Sequence, residues 1–103
     1  MEFCSIYITA GSEEEAAGIG RTLIEERLAA CVNILPVRSV YRWEGSIQDE
    51  AEVVAFIKTR SSLAEKVIER VKSLHSYEVS CIVVLPIKQG NPDYLQWIEE
   101  STG

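Results

Sequence analysis

Hydrophobic and polar positions alternate from Phe3 to Thr9, with Cys4, Ile6 and Ile8 on one side and Ser5, Tyr7 and Thr9 on the other. A repeat of two predicts a strand. Gly11 breaks it, and Ser12 follows as an N-cap, with Glu15 at capping-box spacing and Glu13 and Glu14 well placed for the helix dipole. The period then becomes helical: Ala16, Ile19, Leu23, Ile24 and Leu28 fall on one side, and Glu14, Arg21, Thr22 and Glu25 on the other. Gly18 and Gly20 weaken that helix by about 1 kcal/mol each relative to alanine, which suits close packing of a helix on a sheet. The run from Arg27 to Ile34 passes from helix to strand through a junction near Ala30, and Pro36 marks a bulge or an edge.

The stretch from Ser39 to Thr59 predicts a long, bent β-hairpin, because two runs rich in β-branched and aromatic residues flank polar breaks. Tyr41 and Trp43 share one parity. Ala51, Val53, Ala55 and Ile57 share another that is wholly apolar, opposite Glu50, Glu52, Val54, Phe56 and Lys58. Such a hairpin outreaches the core that this chain can build, and an unpaired sheet edge is an aggregation hazard, so pairing with another chain is expected. After it, Ser62 and Glu65 predict a second capped helix with Ala64, Val67, Ile68, Val71 and Leu74 as its apolar stripe. His75 to Val79 connects it to a continuous apolar run, Cys81 to Ile87, which reads as a strand buried on both faces. Asn91 then caps, and Pro92 opens, a short last helix carrying Tyr94, Leu95, Trp97 and Ile98.

The element order is β-α-β-β-α-β with a short C-terminal helix, over a single domain spanning residues 1–103. That order predicts an α+β, ferredoxin-like sandwich: two helices on one face of an antiparallel sheet, with the other face left for copies of the chain to cover. The net charge of −6 argues against a nucleic-acid partner and makes a cation an easier ligand, although solubility alone accounts for it more simply. No apolar run reaches the roughly 18 residues needed to cross a membrane, and no secretory leader is visible. Three cysteines without a CxxC pair build neither a disulfide framework nor a zinc clip, which fits a reducing cytoplasm and buried, inert thiols.

Several of these stretches, taken in order, resemble the CutA family of divalent-cation tolerance proteins. Glu26-Arg27-Leu28-Ala29-Ala30-Cys31-Val32-Asn33 is similar to that family's helix-to-strand motif. Ser39, Tyr41, Trp43, Gly45, Glu52, Lys58 and Thr59 match its central pattern in spacing. His75, Tyr77, Glu78 and Val79 match its connector; Leu85-Pro86-Ile87, Gly90 and Tyr94-Leu95-Gln96-Trp97-Ile98 match its last third. The resemblance implies a compact homotrimer whose hairpins pair between subunits, binding of copper and other divalent cations, and a part in metal tolerance. The chain departs from the family's pattern at Ser76, where proline is common, and at Ser80-Cys81, where a carboxylate is expected. It departs again at Ile8, where some members carry a cysteine linked to copper; Cys4 stands too early to replace it.

His75 and Glu78 are the expected metal ligands: imidazole suits copper, zinc and nickel, and a carboxylate adds neutralising charge. Two donors are too few for a closed site, so a neighbouring subunit or Cys81 would have to supply more. The competing reading makes His75 a half-buried histidine at a helix C-terminus. Trp43, Glu52, Lys58, Tyr77 and Cys81 form a second constellation, expected at an inter-subunit cleft. It reads as an interfacial ion pair with aromatic packing in preference to a metabolite site. The alternative to metal tolerance is a trimeric signalling or adaptor protein of the PII kind that binds a small effector between subunits, an analogy of fold alone. No catalytic constellation or organic cofactor is expected, because an apolar strand raises the Cys81 thiol and so disfavours a Cys81–His75 pair.

Overall fold

The computed structural model describes residues 1–103. Strand β1 (Phe3–Ala10) and helix α1 (Glu13–Glu25) form where the periodicity places them. The Ser12 hydroxyl accepts from the Glu15 amide at 3.1 Å, but the Glu15 carboxylate reaches the Gly11 amide rather than completing a reciprocal box. The helix stops before Leu28, because Arg27 takes a left-handed φ of 58°. Its guanidinium donates to the Glu100 and Gly103 carbonyls at 2.8 and 2.9 Å. Ile24, expected on the apolar stripe, is 44% exposed; Ala16, Ile19 and Leu23 are buried.

Strand β2 (Cys31–Trp43) and strand β3 (Ser46–Arg60) make the long hairpin, closed at Glu44 and Gly45 with φ of 49° and 81°. Two successive positive φ values match the right-handed twist of the strands, and glycine meets the second without strain. Pro36 sits inside β2 opposite Val53, and the strand tolerates it because β2 lies at the sheet edge. The second helix does not use Ser62 as a cap. A 3-10 turn (Ser61–Leu63) leads instead into α2 (Ala64–Leu74), whose start has no side-chain cap. Strand β4 (Ile82–Ile87) and helix α3 (Pro92–Glu100) follow, with the Asn91 side chain accepting from the Asp93 amide at 3.1 Å.

The sheet is antiparallel in the order β2-β3-β1-β4, the ferredoxin-like arrangement. Cys4, Ile6 and Ile8 of β1 and Val53, Ala55 and Ile57 of β3 pack with Leu23 of α1 and Val67 and Val71 of α2 in the main core. Two expectations fail here. Of the three thiols expected to be buried, only Cys4 is; Cys31 is half-buried and Cys81 is exposed. β4 is not buried on both faces: it pairs with β1 alone, and Val83 and Leu85 are 47% and 43% exposed. An apolar run satisfies either a central strand or an edge strand whose cover lies outside the chain, and periodicity does not separate the two.

Candidate functional site

β1 reaches only to the Ala10–Val53 pair, while β2 and β3 continue together from Val37–Glu52 to Trp43–Ser46. The hairpin therefore overhangs the sheet by about 20 Å, seven residue pairs at the rise of a strand. A cleft of about 630 Å³ opens where β1 ends, on the face opposite α1 and α2. Register explains its lining. Thr9 pairs with Val54, Val37 with Glu52 and Ser39 with Glu50, so odd positions of β1 and β2 and even positions of β3 share a face. Tyr7, Tyr41, Trp43, Glu50 and Glu52 accordingly converge there, and the connector adds Tyr77, Glu78 and Cys81.

Two tyrosine hydroxyls hold two of the carboxylates. Tyr77 donates to Glu52 Oε2 at 2.8 Å, and Tyr41 donates to Glu50 Oε1 at 3.3 Å. Glu52 is only 8% exposed, so its bond to Tyr77 is sheltered from water. Burial, and then the Glu52 carboxylate, push the Tyr77 hydroxyl well above the ordinary phenol range; burial and Glu50 raise Tyr41 in the same sense. Both phenols are thereby fixed as neutral donors across the physiological range.

The connector is anchored at three points. The buried His75 ring donates from Nε2 to the Thr9 carbonyl at 2.6 Å and accepts the Tyr77 amide at Nδ1 at 3.0 Å, which requires the neutral ring with its proton on Nε2. Its ring centroid lies 4.6 Å from that of Tyr77. Glu15 Oε2 accepts the Ser76 amide at 2.9 Å and lies 3.9 Å from His75 Nδ1. Burial raises the Glu15 carboxyl, but hydrogen bonds from Ser76 and Gly11 outweigh it and hold the group below the usual carboxylate range.

The structure thus brings together Trp43, Glu52, Tyr77, Glu78 and Cys81 and leaves two expected residues apart. Lys58 shares a face with Glu52 but lies six positions along β3, and its ammonium bonds to Asn33. His75 lies behind the cleft lining with both ring nitrogens engaged by the backbone. The donors present do not fit a closed metal centre, because no three His, Cys, Asp or Glu side chains gather within reach of one ion. Tyr7, Tyr41 and Glu50 were missed in the sequence. Glu50 shares the parity of Glu52, a usable signal, whereas placing Tyr7 required the β1–β3 register.

The CutA1 divalent ion tolerance protein model matches residues 4–101. The chain belongs to the CutA1 family. The divalent-cation tolerance protein CutA of Thermus thermophilus is 50% identical over 99 residues, which span 95% of this chain and 96% of that protein. The mouse protein CutA is 45% identical over 97 residues, or 93% of this chain. The chain spans only about half of that mouse protein, 55% of its length. Among solved structures, CutA1 from Oryza sativa superposes with a TM-score of 0.96 at 43% identity, covering 100% of this chain and 95% of that one. The Thermus thermophilus structure gives a TM-score of 0.93 at 48% identity, covering 98% and 99%. The CutA1 fold is therefore shared along the sheet, the hairpin and all three helices. No helix is long and apolar enough to cross a membrane.

Proposed function

We propose that this chain acts in divalent-cation tolerance as a homotrimer that binds copper and related cations at the cleft, as a binding protein rather than an enzyme. The observation that carries this reading is the charge of the cleft: Glu50, Glu52 and Glu78 line it, and no lysine, arginine or histidine does. Such a lining concentrates cations without a closed coordination shell, so binding is exchangeable. The tolerance role is carried over from relatives such as the Thermus protein, whose name states it. Trimer formation is supported by the overhanging hairpin and by Val83, Leu85 and Ile47, apolar side chains that a single chain leaves in water. The unbridged thiols Cys4, Cys31 and Cys81 favour a reducing cytoplasm.

Of the two expected ligands, Glu78 makes the direct contact in this reading. His75 coordinates an ion only if the Thr9 carbonyl and Tyr77 amide release it, so its main task is to hold the connector. Calorimetric titration of metal-free protein with copper(II) tests the assignment. Glu78→Gln is expected to weaken binding several-fold while leaving the helical circular dichroism unchanged. Equal affinity in Glu78→Gln and the parent protein would place the ion elsewhere.

A further inference from the structure

The cleft combines two features that a metal ion does not need together. Its carboxylates are too dispersed to gather three donors on one ion, and tyrosine hydroxyls already occupy one oxygen each of Glu50 and Glu52. Yet its walls are aromatic: Tyr7, Tyr41, Trp43 and Tyr77 all border the space. Glu52 faces this space more than nine-tenths buried, and its Oε1 accepts no hydrogen bond from the chain. Dispersed negative charge with several aromatic rings suits a cation that forms no coordinate bonds. An organic ammonium is such a cation: it is attracted to ring faces and carboxylates at van der Waals separation and loses little hydration in leaving water. In a single chain the cleft has a volume of about 630 Å³, within the usual range for a small organic ligand, and binding there requires that copies covering the hairpin leave it open.

We propose that the cleft binds a small organic ammonium ion, held by the rings of Tyr41, Trp43 and Tyr77 and neutralised by Glu52. The inference rests on the cleft being a binding site, as above, but not on any metal. Tyr41 and Trp43 come from the overhanging part of the hairpin, and Tyr77 from the connector, so the ligand would bridge two elements that are otherwise joined there only by side-chain bonds.

The test uses Trp43 fluorescence in a Trp97→Phe background, with tetramethylammonium chloride as the probe, in buffer containing a chelator. Trp97 lies on α3 outside the cleft, so its removal leaves Trp43 as the reporter. The expected result is a saturable change that sodium chloride at matched ionic strength and neutral tert-butanol do not produce. Tyr41→Leu, at a partly exposed position, and Glu52→Gln should each weaken the response about tenfold, the loss of one cation–π or charge contact. An unsaturable response, or one reproduced by tert-butanol, overturns the proposal. An unchanged midpoint in a folded Tyr41→Leu protein does the same, even if Glu52→Gln fails to fold. Copper binding in the absence of an ammonium response would leave the metal reading standing and remove this one. An ammonium response without copper binding would do the reverse.

Discussion

Replacing Tyr77 by phenylalanine removes one oxygen and leaves the ring that lies tilted against His75 in place. The lost bond is the 2.8 Å donation to Glu52 Oε2, made to a carboxylate that is 8% exposed. A hydrogen bond to a charged group contributes about 1.5–3 kcal/mol, and a buried acceptor left short of a donor sits towards the upper end. Total stability for a domain of this size is about 5–15 kcal/mol, so the loss is a large fraction of it. It should lower the melting temperature by about 10 °C. Urea unfolding followed by circular dichroism at one fixed protein concentration measures it, because any association would make the midpoint concentration-dependent. In a Glu52→Gln background the same change removes a neutral bond, and its cost should fall to about 0.5–1.5 kcal/mol. The folded-state rise in the Tyr77 hydroxyl gives a second readout. Its stabilisation is complete below the ordinary phenol pKa of about 10 and is lost as pH rises through the higher folded value, a decline that Tyr77→Phe should not share. A loss under about 0.5 kcal/mol, or an equal loss in both backgrounds, would refute the claim that this bond organises the cleft.

Three other outcomes follow from the same geometry. Ser12→Ala removes the acceptor for the Glu15 amide and should cost about 1 kcal/mol in chemical denaturation. Gly18→Ala meets no atom within 4 Å and should stabilise α1 by about 0.5–1 kcal/mol; Gly20→Ala would bring a Cβ to 3.1 Å of Val32 Cγ1 and should lose that gain or reverse it. Glu15→Gln should destabilise at neutral pH. The carboxylate's folded pKa is depressed, so its contribution is complete above about 4.3 and disappears as pH falls through the lower folded value. Urea midpoints of the two proteins should therefore converge in acid.

Local pattern carried most of the fold. The alternation of Cys4, Ile6 and Ile8, the stripe of Val67 and Val71, and the apolar parity of Val53, Ala55 and Ile57 all face the main core. Each signal is a period within one element, and burial enforces it directly. Failures came where the answer depends on a neighbour distant in sequence. Ile24 satisfies the helical stripe but stays largely exposed. The run from Ile82 to Ile87 is apolar for reasons that a single chain does not show. Ser62 has the chemistry of a cap, yet Arg60 leads straight into a 3-10 turn, so α2 begins without it. The cleft was half legible: parity aligned Tyr41 with Trp43 and Glu50 with Glu52, but parity also aligned Lys58, which the length of β3 carries out of reach. His75 was visible as a special residue in a short connector. Only the three-dimensional pairing with the Thr9 carbonyl and the Tyr77 amide gives it a structural task.

The central claim is that the overhanging hairpin and the exposed side chains of β4 are covered by copies of the same chain. Native mass spectrometry of the desalted protein, at concentrations spanning the micromolar range, tests it most directly. The account predicts a three-chain mass that persists on dilution and is weakened by a charge placed at Leu85, such as Leu85→Glu, on the uncovered face of β4. A stable monomer across that range would leave the hairpin without its partner and would contradict the account.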